Sequence, residues 1–177
     1  AGNIGDSFAL KVIRGPREYY VLEVSSFQLD GIRDFHPHIS MITNITPDHL
    51  DRYGYQMELY IRSKLRVFEN QTEADHFIYD LDDPVLAREI DPDTMRPQTW
   101  PQTLDKRLEK GGMLNENQIE IRTTNKVLKM NTDSLALEGQ HNVKNTMAAA
   151  TVAQLLGIRK ETIRQSVATF QGAPHRL

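Results

Sequence analysis

The chain alternates between short, nearly continuous apolar runs and longer stretches with helical spacing. Residues 18–24 (EYYVLEV) are rich in β-branched and aromatic side chains, the pattern of a strand covered on both faces. Comparable runs follow at 38–45 (HISMITNI) and 74–79 (ADHFIY). Between these last two, residues 56–69 place Leu59, Tyr60, Leu65, Val67 and Phe68 at helical spacing. Strand, helix and strand predict a βαβ unit, and the right-handed crossover rule then predicts a parallel sheet. Residues 91–110 are broken by Pro92, Pro97 and Pro101, which predicts no long element there and only a short strand over 95–100. In 111–137 short segments carrying Ile119, Ile121, Val127 and Leu128 alternate with Asn-rich turns. That pattern predicts small antiparallel strands forming a β-rich flap beside the main sheet. Asn142 then reads as the N-cap of a helix over 143–156, Gly157 as its stop, and 160–170 as a second helix. The expected fold class is α/β: a mostly parallel sheet flanked by helices, one domain across 1–177.

Composition narrows the function classes. Of the 177 residues, 39% are hydrophobic and 25% charged, the balance of a chain with a packed core. A net charge of −3 leaves no basic excess to neutralise phosphates, so general nucleic-acid binding is not expected. The chain has no cysteine, which excludes disulfides, zinc–thiolate sites, iron–sulfur clusters and cysteine nucleophiles. No apolar run reaches the ~18 residues of a membrane span. The start AGNIGDSFAL lacks the basic and apolar regions of a signal peptide. A cytoplasmic setting without membrane insertion is the expectation.

In open parallel sheets, ligands gather beyond the carboxyl ends of the strands. Glu23 sits inside an apolar run, where a carboxylate is costly unless paired or bound to a cation; an internal ion pair is the plain alternative. In 44–51, Thr46 suits a helix cap, Pro47 its first position and Asp48 its N-terminal turn. That account leaves His49 unexplained. Lys64 lies one turn after Tyr60 and shares its face, as a solvated helix lysine also would. Asn142 and Asn145 lie one turn apart at the start of an Ala-rich helix. Carboxylate, imidazole and hydroxyls at neighbouring strand ends suit a Mg²⁺ ion near a phosphate. They equally suit a hydrolase using Ser25 or Ser26 with His49 and an Asp. There is no G-x-S-x-G elbow and no G-x-x-x-x-G-K-[ST] loop, so the residues alone leave both open.

Several stretches together resemble the central domain of the Mur ligases, in the same order. They are GNIG at 2–5, LEVSSFQL at 22–29, NITPDHLDRY at 44–53, YIRSKLRVFENQ at 60–71, LEGQHNVKNTMAAA at 137–150 and GAPHRL at 172–177. SSFQL resembles the branch that adds D-glutamate, and argues against sister ligases and folylpolyglutamate synthetases. The resemblance implies a P-loop-type fold and an ATP-dependent ligation in peptidoglycan synthesis. It implies that Glu23 binds the Mg²⁺ beside the ATP phosphates, that His49 binds a second Mg²⁺, and that Lys64 is carbamylated, all three acting in catalysis. Asn3, Ser25 and Gln28 would contact UDP-N-acetylmuramoyl-L-alanine. Asn142 and Asn145 would lie by the adenine, and Arg176 near the nucleotide. The family's first strand and phosphate loop have no counterpart in this sequence, nor do its N-terminal UDP-binding and C-terminal amino-acid-binding domains. The expectation is therefore a partial central domain, inactive alone, with Lys64 as the plain amine. An exposed sheet edge or apolar face would favour self-association. A non-catalytic nucleotide-binding or interaction module is the alternative from another class.

Overall fold

The computed structural model describes residues 1–3 and 6–172. These form two compact units, one from 1–3 and 6–36 with 47–70, the other from 37–46 with 71–172.

The first unit is helical. Helix α1 (Phe8–Ile13) is capped by Ser7, whose Oγ accepts from the Leu10 amide at 3.2 Å, and it buries none of its residues. Helix α2 (Ser26–Asp30), a 3₁₀ turn (Leu50–Tyr53) and helix α3 (Met57–Leu65) follow. A chain of hydroxyls joins these three. Ser63 Oγ donates to the Ser26 carbonyl at 2.8 Å, and the Tyr53 hydroxyl donates to Asp30 Oδ2 at 3.0 Å while lying 3.1 Å from Ser63 Oγ. Beyond α3, Arg66 donates to the carbonyls of Asp30 and Ile32, and Asn70 to those of Arg33 and Phe35. These bonds satisfy the chain that leaves α2, which has no ladder of its own.

The run 18–24 is not a strand, which corrects the expectation. It makes one isolated parallel bridge, Gly2 to Glu23, with Asn3 N–H donating to the Glu23 carbonyl at 2.7 Å and Glu23 N–H to that of Ala1 at 3.0 Å. Its pattern is that of a strand with both faces covered, but among the described residues it is paired only by residues 1–3, and so short a pair is marginal. Val21 is accordingly 85% exposed.

The second unit is built on a six-stranded sheet whose spatial order follows the sequence. Its strands are β1 (Ile39–Ile42), β2 (His76–Asp80), β3 (Gln98–Thr103), β4 (Gly111–Asn115), β5 (Gln118–Thr123) and β6 (Lys126–Asn131). Strands β1 to β4 run parallel, with Ile39 opposite His76 and His76 opposite Gln98. Strands β4 to β6 form an antiparallel meander. The mostly parallel α/β fold is as expected, and α3 lies in the chain between β1 and β2.

Two details differ from expectation. Segment 111–137 is not a flap beside the sheet, because β4 pairs with β3 through Gln102–Gly112 and Thr103–Met113 and so extends it. Gly111 and Gly112 make this approach possible: a Cβ on either would overlap the Pro101 carbonyl or the Gln102 side chain. Strand β3 also runs straight through Pro101. Gln98 N–H donates to the Asp75 carbonyl and Leu81 N–H to that of Gln102, so the even-numbered residues of β3 bond to β2. The absent N–H of Pro101 therefore faces the β4 side, where pairing begins only at Gln102.

Helices α4 (Pro84–Glu89), α5 (Gln140–Leu155) and α6 (Lys160–Thr169) complete this unit. Asp83 caps α4 through the Val85 and Leu86 amides, and its other oxygen accepts from Ile45 N–H at 3.0 Å. Helix α5 starts earlier than expected: Gly139, at φ 95°, is its N-cap, and Asn142 lies inside the first turn. Gly157, at φ 76°, ends it as expected. Met147 and Ala150 of α5 and Ile163 of α6 pack with Ile119, Ile121, Leu128 and Met130 of the meander. Ala148 joins Ile78 and Trp100. Gln71, fully buried, donates to the carbonyls of Pro37 and His76 and accepts from Ser40, fastening the entrances of β1 and β2.

Candidate functional site

Most of the candidate residues lie in the first unit, and Ser25, Gln28, His49 and Lys64 are on the elements that the Tyr53 and Ser63 hydroxyls join to the Ser26 carbonyl. Ser25 is the N-cap of α2 and Gln28 its third residue. Gln28 Oε1 accepts from Ser25 N–H at 2.9 Å and from Ser25 Oγ at 3.2 Å, the returning half of a capping box. Gln28 is exposed, and with Oε1 committed it can offer a ligand its amide N–H. The Ser25 proton points to Gln28, which counts against Ser25 as a nucleophile activated by His49.

His49 precedes the 3₁₀ turn with φ 50° and ψ 32°, a left-handed conformation that costs a side-chain-bearing residue about 1 kcal/mol. Thr46, Pro47 and Asp48 therefore do not cap this turn, contrary to expectation; His49 does. The imidazole is exposed, 3.5 Å from Asp48 Oδ2, and meets the edge of the Phe27 ring at 5.4 Å between centroids. The Arg52 guanidinium lies 4.2 Å from the same ring. One aromatic ring of α2 thus holds His49 and Arg52 together.

Lys64 follows Ser63 on α3, half-buried, with Nζ 5.1 Å from the Tyr60 ring centroid. The shared face of Tyr60 and Lys64 is as expected. Glu23 is exposed, so the expectation of a buried carboxylate needing compensation does not hold: water solvates it. Asn3 lies beside Glu23 through its backbone hydrogen bond. Arg176 is outside the described residues.

The second unit holds Asn142 and Asn145, both early in α5. The Asn142 amide turns back to donate to the Glu138 carbonyl at 2.7 Å. Lys144, between them, reaches Asp80 at the end of β2 and Asp82 beyond it, at 2.8 and 3.1 Å. Neither this ion cluster nor the Tyr53 and Ser63 hydroxyls were read from the sequence. The acidic run Asp80-Leu81-Asp82-Asp83, at a strand exit, was the available signal.

Comparison with known proteins resolves the family. Residues 5–153 match the Mur ligase middle domain. The chain belongs to the Mur ligase family. It is 52% identical, over 99% of its length, to a UDP-N-acetylmuramoylalanine–D-glutamate ligase of Christiangramia forsetii, and 45% identical over its whole length to one of Bacteroides fragilis. The chain spans about 40% of the length of these relatives. Among solved structures it resembles a MurF ligase of Thermotoga maritima in complex with ADP, with a TM-score of 0.59 at 17% identity over 90% of this chain and 39% of that one. It also resembles the Thermotoga maritima MurC, with a TM-score of 0.53 at 20% identity over 86% and 33% of the two chains. These two likenesses concern the Mur ligase middle-domain fold.

Among the described residues no three His, Asp or Glu side chains converge on one point where a metal could sit. A Mur ligase that handles a nucleotide phosphate does not need such a cage. Mg²⁺ is commonly held by one or two protein ligands, with water and phosphate oxygens filling the rest. Exposed single donors such as Glu23 and His49 fit that chemistry. Lys64 fits it only as a carbamate, because an ammonium has no lone pair to offer. Among the described residues no helix is long and apolar enough to cross a membrane.

Proposed function

We propose that this chain is the middle part of a cytoplasmic ATP-dependent ligase that joins D-glutamate to UDP-N-acetylmuramoyl-L-alanine in peptidoglycan synthesis. The observation that carries the reading is the 52% identity over 176 residues to a ligase of that name. The first unit supports it, since Ser25, Gln28, His49 and Lys64 are carried on elements locked by one hydroxyl network.

In this reading ATP phosphorylates the substrate carboxylate, and the amine of D-glutamate attacks the resulting acyl phosphate. Phosphate then leaves from the tetrahedral intermediate. Glu23, His49 and carbamylated Lys64 would hold Mg²⁺. When bound, the ions offset the negative charge of the transferring phosphoryl group. Gln28 and Asn3 orient the UDP-sugar substrate through their amides. Phe27 holds the His49 ring against rotation, and Tyr60 supports the stem of Lys64. Asn142 and Asn145 would contact the adenine, and Arg176, outside the described residues, would contribute to nucleotide binding. The flanking parts of the longer enzyme supply the phosphate loop and the amino-acid site, and the chain alone has no ligase turnover.

ADP release by the longer enzyme tests this, with ATP, Mg²⁺, UDP-N-acetylmuramoyl-L-alanine and one of D-glutamate, L-alanine or L-lysine. Release that requires D-glutamate and is lost in Lys64→Ala is the expected result. Release with another amino acid assigns a sister ligase, and none with any of them favours a non-catalytic module. Robust turnover by the 177-residue chain alone would overturn the proposed division of labour.

A further inference from the structure

The first turns of α5 carry the two asparagines read as nucleotide contacts, and Lys144 stands between them. Its ammonium lies 2.8 and 3.1 Å from the two Asp80 oxygens and 3.1 Å from Asp82 Oδ2. Asp80 is the last residue of β2. Asp82 is itself held by the Thr103 hydroxyl and by Leu104 N–H at 2.8 Å, both at the end of β3. Asp82 N–H in turn donates to Asp80 Oδ1 at 2.9 Å. The cluster is secluded: the side chains of Lys144, Asp80 and Asp82 are 27%, 11% and 14% exposed. By contrast, the bond made by Asn142 stays within its own turn, and the cap of α5 is a glycine without a side chain. The ion cluster thus ties the start of α5 to the carboxyl ends of two parallel strands, where such sheets bind their ligands.

We propose that Lys144 is a positioning residue, whose ion pair with Asp80 and Asp82 sets where Asn142 and Asn145 are held for nucleotide binding. The proposal rests on the nucleotide reading of α5. Replacing Lys144 by an apolar side chain leaves two secluded carboxylates unpaired and facing each other, a strongly unfavourable arrangement. The start of α5 then moves to admit water, carrying both asparagines with it. Burial opposes the charge of Lys144, but Asp80 and Asp82 outweigh it and hold the ammonium above its ordinary range.

Steady-state kinetics on the longer ligase tests this. Lys144→Met is expected to raise KM for ATP about tenfold, with kcat and KM for D-glutamate within about twofold of the parent. Asp80→Asn is expected to act in the same direction. The double variant Lys144→Met/Asp80→Asn should be no worse than Lys144→Met, because the residues act as one unit. Lys144→Arg should restore most of the loss. An unchanged KM for ATP in Lys144→Met overturns the proposal. So does a rise in Lys144→Met that neither Asp80→Asn nor Asp82→Asn reproduces, which would make Lys144 a direct ligand of ATP. Asn142→Ala and Asn145→Ala separate the two layers. If both leave KM for ATP unchanged, the nucleotide reading fails and this proposal with it; if they raise it and Lys144→Met does not, only this proposal fails. Should Lys144→Met not fold, Asp80→Asn is decisive by itself, a rise of about threefold supporting the role and no rise ending it.

Discussion

The two units hold themselves together by different physics. The second has a conventional interior, with Ile78, Leu86, Ile119, Ile121, Leu128 and Met147 all at 0% exposure. The first fills its centre with hydroxyls: Ser26, Tyr53 and Ser63 are buried beside Leu29, Tyr60 and Ile61, while Ile13 and Val21 are left 81% and 85% exposed. Apolar burial is non-directional and scales with area, whereas a hydroxyl chain fixes orientation and adds little net stability. The unit that carries Ser25, Gln28, His49 and Lys64 is thus the one built on directional bonds. Aiming a few side chains requires set angles more than it requires a deep core.

This contrast can be broken or sharpened by measurement. The largest effect is expected for Met147→Ala, which empties a fully buried site and should cost about 2–5 kcal/mol in denaturant unfolding. A cost under about 1 kcal/mol would mean that the second unit is not packed as described. Tyr53→Phe removes one hydroxyl from the first unit's network and should cost about 1 kcal/mol. Its hydrogen-exchange protection should fall in α2 and α3 and stay unchanged in β2 and β5. The exposed apolar side chains of the first unit, Ile13 and Val21 foremost, should drive self-association of the chain on its own. Sedimentation should show species larger than a monomer, reduced by Ile13→Ser/Val21→Ser, and a clean monomer for the parent chain would contradict this.

The smallest expected effect is on pH dependence. Burial works against the Asp82 carboxylate, but bonds from Thr103, Leu104 N–H and Lys144 outweigh it and hold its pKa below the ordinary 3.8. Its stabilising contribution is therefore complete above the ordinary value and is lost as pH falls through the depressed one. Lys144 is the mirror case: its contribution is complete below the ordinary 10.5 and is lost as pH rises through the elevated value. Asp82→Asn should flatten the acid limb of a stability profile, and an acid limb identical to the parent's would remove Asp82 from this account.

Elements defined by their own local pattern were legible in the sequence: β2, α3, β5, β6 and the body of α5 fall where periodicity puts them. What failed depended on a neighbour. The run 18–24 has the composition of a covered strand, yet composition does not say what lies alongside it. Pro101 is forbidden in a strand only where its missing N–H is needed, and that is decided by where β4 begins to pair. Asn142 has the chemistry of a cap, but the backbone of Gly139 takes the place first. Around the candidate site, the shared face of Tyr60 and Lys64 was legible from their spacing, whereas the burial expected of Glu23 from its apolar run is removed by its exposure. Lys144 reads as an ordinary solvated helix lysine, because its partners are far away in the sequence.

The arrangement of the sheet also bears on the order in which it assembles. The meander β4–β5–β6 turns at Glu116-Asn117 and Thr124-Asn125, so every one of its pairings joins near neighbours in the chain. Hairpins of this kind close in about 1–10 μs. The parallel pairing of β1 with β2 must bring Ile39 to His76 across all of α3, and it incurs the loop-closure entropy before any ladder bond forms. Refolding should therefore begin at the antiparallel end of the sheet and finish at the parallel end. Pulse-labelled amide exchange would show this as protection of Ile119, Ile121 and Leu128 before that of Ser40 and Ile42.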